Sequence, residues 1–304
     1  MTTITLNNLT IGYPAKGSVK TVMRRLNATI RGGELTCLIG PNGVGKSTLL
    51  RTLAAFQPPI EGTVTLTLGD DVQTAADTEP GGHDARPASL DLHRQKPSQL
   101  SRLVGVVLTE RPDVQNLSVR ELVSLGRSPY TGFWGRCTEA DYEVVDRSLE
   151  QVGIAALARR NVATLSDGER QKVMIAKALA QQTPVVFLDE PTAFLDFPSK
   201  VEVMKLLRTV SHATGKTIFL STHDVEMALQ LADTLWLARR PEGKNQAERN
   251  RIQPDSPVSD SPEPDSPLSI GSPAQLAADG TLSAYFSGPG IEFDPRHIRL
   301  SVKA

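Results

Sequence analysis

Hydrophobic and polar positions divide the chain into short stretches of different period. Residues 2–11 alternate, with Ile4, Leu6, Leu9 and Ile11 set among Thr and Asn, the two-residue period of a half-buried strand. Residues 35–39 (LTCLI) form an unbroken apolar run ending at Gly40, as a buried strand does. From Lys46 the period lengthens. Leu49, Leu53 and Phe56 fall at i, i+4 and i+7 on one helical face, and Pro58-Pro59 stops the helix. Residues 63–68 (TVTLTL) alternate again. Residues 69–99, which include DTEPGGHDARP, lose periodicity and read as a loop insertion.

Residues 103–108 (LVGVVL) predict a further strand, and 117–182 read as mostly helical. Thr138 with Asp141 opens one helix there; Tyr142, Val145, Leu149 and Val152 are its apolar stripe and Gly153 its stop. Two apolar runs follow, 185–188 (VVFL) and 218–220 (IFL). Between them Pro198 opens a helix carrying Val203, Leu207 and Val210, ended by Gly215. Residues 234–238 (TLWLA) are a last clear strand. The stretch 254–267 (PDSPVSDSPEPDSP) cannot bury enough apolar surface to offset its ordering entropy, so 239–267 is expected to be a disordered insertion. Apolar residues return at 268–300 (Leu276, Leu282, Tyr285, Phe286, Ile291, Phe293, Ile298), so the insertion is internal.

Composition narrows the function. The chain has 304 residues, enough for an α/β domain with a full core. Lys and Arg total 33 against 34 Asp and Glu, which argues against a strongly basic nucleic-acid binder. Cys37 and Cys137 form no CxxC and read as reduced thiols of a cytosolic protein. Neither a signal peptide nor an apolar run long enough to span a bilayer is evident, so membrane work would be peripheral.

Gly40-Pro41-Asn42-Gly43-Val44-Gly45-Lys46-Ser47-Thr48 matches GxxxxGK[ST] and lies between a buried strand and a helix. Its glycines let backbone wrap a phosphate chain without Cβ clashes, and the helix N-terminus favours anions. Lys46 would reach the β- and γ-phosphates and Ser47 would ligate Mg²⁺. In Val185-Val-Phe-Leu-Asp189-Glu190 two acids emerge at the end of a strand where open α/β sheets bind ligands. Asp189 would hold Mg²⁺ through its water shell, and Glu190 would polarise the attacking water. In Leu165-Ser166-Asp-Gly168-Glu-Arg-Gln, Ser166 and Glu169 have capping-box spacing. A capped helix leaves Gly168 in the first turn unexplained, whereas close approach to a phosphate would explain it.

The order phosphate loop, LSDGE, φφφφDE and Ser221-Thr-His223-Asp resembles the nucleotide-binding subunit of ABC transporters over about residues 2–238. The resemblance implies an α/β fold: a P-loop NTPase of ABC type with a RecA-like core, an antiparallel β subdomain and a helical signature subdomain at about 110–180. Residues 1–238 would be the ATPase domain and 268–304 a C-terminal segment packing back on it. It also implies roles. Tyr13 would stack on adenine, and Ser166 and Gly168 would touch the γ-phosphate of ATP on the opposite subunit. Asp196 would join the two sites, and His223 would contact the γ-phosphate. The family's glutamine after the strand at 103–108 is replaced by Thr109, followed by Glu110; either could supply the missing Mg²⁺ ligand.

Gly126-Arg-Ser-Pro-Tyr-Thr-Gly132 and the segment ending Ile291-Glu-Phe-Asp294 resemble importers of iron–siderophore complexes, haem or cobalamin. The implied partners are a second copy in an ATP-sandwich dimer, membrane permease subunits and, indirectly, a periplasmic or surface substrate-binding protein, with no nucleic acid. The implied place is the cytoplasmic face of the inner (plasma) membrane. The same motifs also admit a soluble ABC-type ATPase for iron–sulfur cluster or other assembly, or a low-turnover regulatory module. Glu190 and His223 argue against the last. His83, Asp84, Asp91 and His93 read as a solvated loop rather than a metal site.

Overall fold

A computed structural model describes residues 1–15, 18–69, 89–109, 116–132, 134–239, 267–287 and 291–302. In chain order these form β1 (Thr3–Ala15), β2 (Ser18–Arg31), β3 (Leu35–Ile39), α1 (Lys46–Leu53), β4 (Glu61–Thr67) and β5 (Leu90–Asp91). Next come α2 (Pro97–Leu103), β6 (Val104–Val107), α3 (Val119–Ser124), α4 (Glu139–Gln151) and α5 (Asp167–Ala180). Then follow β7 (Val185–Asp189), α6 (Phe197–Thr214), β8 (Thr217–Thr222), α7 (Val225–Leu231) and β9 (Thr234–Ala238). The chain closes with β10 (Leu268–Gly271), α8 (Pro273–Ala278), α9 (Thr281–Phe286), β11 (Ile291–Asp294) and β12 (Arg299–Val302).

The central sheet has the order β10-β9-β3-β8-β7-β6, parallel except for β10, which pairs antiparallel with β9. Every residue of β3, β7 and β8 is buried, because both faces of this sheet are covered. Alternate side chains separate into two cores. Cys37, Leu188, Leu220 and Leu237 point into a cluster with the helices α3 to α7. Leu38, Phe187, Phe219 and Trp236 point into the other, against α1 and the antiparallel sheet β2-β1-β4-β5. There Phe219 makes edge-to-face contacts with Phe187 and Trp236, at centroid distances of 6.0 and 5.2 Å. This three-layer α/β arrangement sets the C-terminal ends of β3, β7 and β8 side by side.

The helix opened by Thr138 is α4, with the capping box formed and Gly153 at φ +74° beyond it. Pro198 and Gly215 bracket α6 as their chemistry requires. Three expectations are corrected. The helix at Lys46 ends at Leu53; Ala55 turns at φ +57° and leaves Phe56 59% exposed rather than on the apolar face. The region 69–99 is not wholly a loop: β5 pairs with β4, Leu92 is fully buried, and α2 starts at Pro97. The strand at 2–11 extends to Ala15, and its partner β2 was not foreseen. Of the disordered insertion expected at 239–267, residues 240–266 lie outside the described residues, as do His83, Asp84 and Glu110, while Arg239 and Pro267 are described and bonded to each other.

Candidate functional site

The buried run of β3 delivers the chain to Gly40, and the loop turns through Gly43 at φ +77° and Gly45 at φ +112°. Only glycine visits such angles without strain. At Gly45 space is also closed, since a Cβ would lie 2.2 Å from Cγ1 of Val22 on β2. Lys46, 6% exposed, sits inside this curl, and its Nζ donates to the carbonyls of Gly40 at 2.7 Å and Pro41 at 3.4 Å. Burial lowers the Lys46 ammonium from its ordinary value, against the pull of Glu190 and Asp189.

The acids arrive from the neighbouring strands. Asp189 ends β7, and its Oδ1 accepts from Ser221 Oγ at 2.6 Å and Ser47 Oγ at 3.3 Å. Thr109, just past β6, donates to the Asp189 carbonyl at 2.7 Å, so its proton braces the strand end. Glu190 follows at φ +50°, an uncommon angle for a side-chain-bearing residue and a local strain of the sort found at functional sites. Its N–H donates to the carbonyl and hydroxyl of Ser221, both at 3.1 Å. Its carboxylate pairs with Nε2 of His223, which leaves the end of β8. Behind them Asp224 accepts from Thr192 Oγ1 at 2.6 Å and Lys200 Nζ at 2.8 Å.

A cleft of about 410 Å³ opens over this group. Asn42, Gly43, Gly45, Lys46, Ser47, Thr48 and Glu190 line it from the core, and Tyr13, Lys20 and Val22 from the β1–β2 hairpin. Tyr13 is 41% exposed and its hydroxyl shares a 2.7 Å hydrogen bond with Thr48 Oγ1. Lys20 and Val22 escaped the sequence reading because they belong to the unforeseen β2. Ser221 lay inside a recognised motif, and its bonds to Asp189 and Glu190 give it a bracing part there.

Gly40, Pro41, Thr109, Asp189 and His223 do not line this cleft but are bonded into the group beneath it, whereas Ser166, Gly168 and Asp196 neither line it nor bond to that group. Ser166 caps α5, its exposed hydroxyl accepting from Glu169 N at 3.2 Å while Glu169 Oε2 accepts from Ser166 N at 2.9 Å. Gly168 has a reason within the chain itself, since a Cβ there would lie 2.9 Å from Ser199 Oγ on α6. The exposed Asp196 caps α6, accepting from Ser199 N at 3.2 Å, and the Ser199 bonds hold its carboxyl below the ordinary range.

Among the described residues no group of three or more His, Cys, Asp and Glu could hold a metal. Asp91 caps a short turn by accepting from His93 N at 3.0 Å, and burial lowers the His93 imidazole. The Ser47 and Asp189 oxygens are a hard, incomplete donor set. That suits Mg²⁺, which keeps several waters and takes its remaining ligands from substrate phosphates.

A glycine-lined anion loop, a buried lysine and a carboxylate pair at the C-terminal edge of a parallel sheet define a phosphate-loop nucleotide hydrolase. Residues 23–193 match the ABC transporter family, and the chain belongs to it as an ATPase coupled to transport. It is 39% identical over 77% of its length to the achromobactin transport ATP-binding protein of Dickeya dadantii, covering 77% of that protein. It is 35% identical over 78% of its length to the ferric enterobactin transport ATP-binding protein of Escherichia coli K12, again covering 77%. A dimeric bacterial ABC transporter cassette superposes with a TM-score of 0.60 at 25% identity, covering 77% of this chain and 93% of that one.

Proposed function

We propose that this chain is the ATP-hydrolysing subunit of an importer that takes up an iron–siderophore complex, haem or cobalamin through a membrane permease. The names of its relatives, achromobactin and ferric enterobactin transport proteins, support the cargo class. One observation carries the chemistry: Lys46, Ser47, Asp189, Glu190 and His223 converge where three buried strands end.

In this reading the phosphate loop and Lys46 bind the β- and γ-phosphates of ATP, while Tyr13 stacks on the base. Ser47 and Asp189 would hold Mg²⁺, with Thr109 as the third oxygen at that end. The ion offsets phosphate charge when bound. Glu190 accepts a proton from the attacking water, and His223 holds the Glu190 carboxylate in place. Ser166, Gly168 and Asp196, turned away from their own cleft, complete the cleft of a second copy bound head to tail. The dimeric relative supports that arrangement. ATP then favours the closed pair by its differential affinity for it, and loss of the γ-phosphate reopens the pair. Residues 1–238 form this motor, with 268–304 packed back on it, at the cytoplasmic face of the membrane. No described helix is long and apolar enough to cross that membrane. A substrate-binding protein would deliver cargo on the other side.

Two variants test the reading. Lys46→Ala should lower ATP turnover about 100-fold or more. Glu190→Gln should bind ATP without hydrolysing it and run as a dimer in light scattering. Near-normal turnover by the first, or a monomeric second at saturating ATP, refutes the assignment.

A further inference from the structure

The Gly126–Tyr130 stretch takes no part in the nucleotide cleft, yet its residues converge on the C-terminal end of α5. A Cβ on Gly126 would lie 2.3 Å from the Lys177 carbonyl, so only glycine lets the chain approach that turn. Arg127, 6% exposed, donates through Nη1 to the Ala180 carbonyl and to Gln182 Oε1, both at 2.8 Å. Its Nε pairs with Asp141 of α4 at 2.9 Å. A cation here also meets the negative end of the α5 dipole. Tyr130 donates its hydroxyl to the Gln181 carbonyl at 2.9 Å. Over its ring lie two guanidiniums, Arg127 at 4.0 Å and Arg102 of α2 at 5.4 Å from the centroid. Burial raises the Tyr130 phenol, against the pull of Arg127 and Arg102, so the donated proton stays on it. Arg102 Nε donates to Pro129 O at 3.2 Å, and Gln181 Nε2 to Ser101 O at 2.6 Å and Val104 O at 3.2 Å. Thus Arg102 of α2 and Arg127 meet at the Tyr130 ring, and through Arg127 and Gln181 the same cluster holds α4, β6 and the end of α5.

The other end of α5 is Ser166. Fourteen residues make a rod of about 21 Å, so a tilt of about 5° at the clasp carries Ser166 through about 2 Å. A misplacement of about 1 Å is enough to cost on the order of 100-fold in rate. We infer that Tyr130 is a positioning residue for ATP turnover: with Arg102 and Arg127 it fixes the far end of α5 and so aims Ser166 at the nucleotide of a second copy. The inference rests on the two-copy reading of the site.

The test uses the full chain with Tyr130→Phe, Tyr130→Leu and Arg102→Met, beside Ser166→Asp. ATP affinity is read without Mg²⁺ on the dilute, unpaired chain, where the second copy's Ser166 takes no part, and kcat is read at saturating ATP and Mg²⁺. Tyr130→Leu and Arg102→Met should lower kcat about tenfold, and Tyr130→Phe less. ATP affinity should stay within about twofold, because the phosphate loop is untouched. If Tyr130→Leu does not fold, Arg102→Met and Tyr130→Phe decide. Unchanged kcat in the folded clasp variants overturns the inference, and so does a parallel fall in kcat and ATP affinity, which marks general loosening. If Ser166→Asp keeps full turnover, the two-copy reading itself fails. If Ser166→Asp is inactive while the clasp variants are normal, only the inference fails.

Discussion

Two lysines show how burial and partners compete at a single residue. Lys46 and Lys216 both lose hydration, and burial lowers both ammonium groups. Glu190 and Asp189 offset part of that loss for Lys46, whereas Lys216, whose hydrogen-bond acceptor among the described residues is the Thr183 carbonyl, is pushed down by burial to about 8. The consequence for stability has a definite sign. Between pH 8 and the ordinary lysine value of 10.5 the unfolded chain holds the proton that the folded chain has lost. Stability from this group therefore rises with pH across that window, by up to about 3 kcal/mol, and is flat below it. Cys37 acts in the opposite sense above its ordinary 9.0, because burial raises its thiol. The wild-type minus Lys216→Met difference isolates the lysine. Urea melts from pH 7 to pH 10 should find Lys216→Met more stable at pH 7, with the gap closing as pH rises. A constant gap would contradict the burial account.

Capping ties local structure to function at the level of the helices. Ser166 closes a capping box at α5, and an Ala there removes an acceptor worth about 1 kcal/mol. Asp is as good a cap as Ser, so Ser166→Asp should melt within about 1 °C of the parent. Ser166→Ala should melt about 2–4 °C lower, the shift that about 1 kcal/mol causes in a domain of this size. In the proposed dimer, Asp at this position also sets a carboxylate against the γ-phosphate, so turnover should collapse in the more stable variant. Turnover that tracked stability instead would reduce Ser166 to a cap. The same elements explain what was legible in the sequence. β3, β7 and β8 are buried on both faces, so each reads as a plain apolar run. That Lys46, Asp189 and Glu190 would meet was legible because phosphate chemistry restricts the residue types in the loop and at the strand end, whereas His223 was placed there by the family resemblance alone. β2 was not legible. Its register against β1 shifts three times and Arg25 turns at φ +50°, so buried Met23, Leu26 and Ile30 keep no two-residue period. The clasp around Tyr130 was equally hidden, because its contacts join residues about 50 apart in sequence.

In the whole molecule, the last strand of the central sheet returns across a long excursion of sequence. β10 lies antiparallel to β9, with Leu268 opposite Ala238, and Arg239 N donates to the Pro267 carbonyl at 3.0 Å. The two ends of the 27 residues 240–266 are thus already as close as the ends of a tight hairpin. Leu268, Leu276 and Leu282 beyond them are buried, and Tyr285 donates its hydroxyl to the Ala238 carbonyl at 3.1 Å. Residues 268–286 are therefore part of the folded body, and removing them would uncover the β9 edge and its core contacts. The intervening sequence is a different matter, since a 27-residue connection between two joined ends carries more closure entropy than a short one. Replacing residues 240–266 by a four-residue Asn-Gly type turn should raise stability by about 1–2 kcal/mol, because closure cost grows with the logarithm of loop length. The cleft, the α5 clasp and the caps are all built from residues outside that segment, so ATP turnover should stay within about twofold of the parent. Denaturant midpoints and steady-state ATPase rates on the two chains measure both quantities. A stabilised variant with normal turnover would show that the motor is complete without the segment. A stabilised variant with lost turnover would mean that 240–266 itself supplies groups to the reaction or to the pairing of copies.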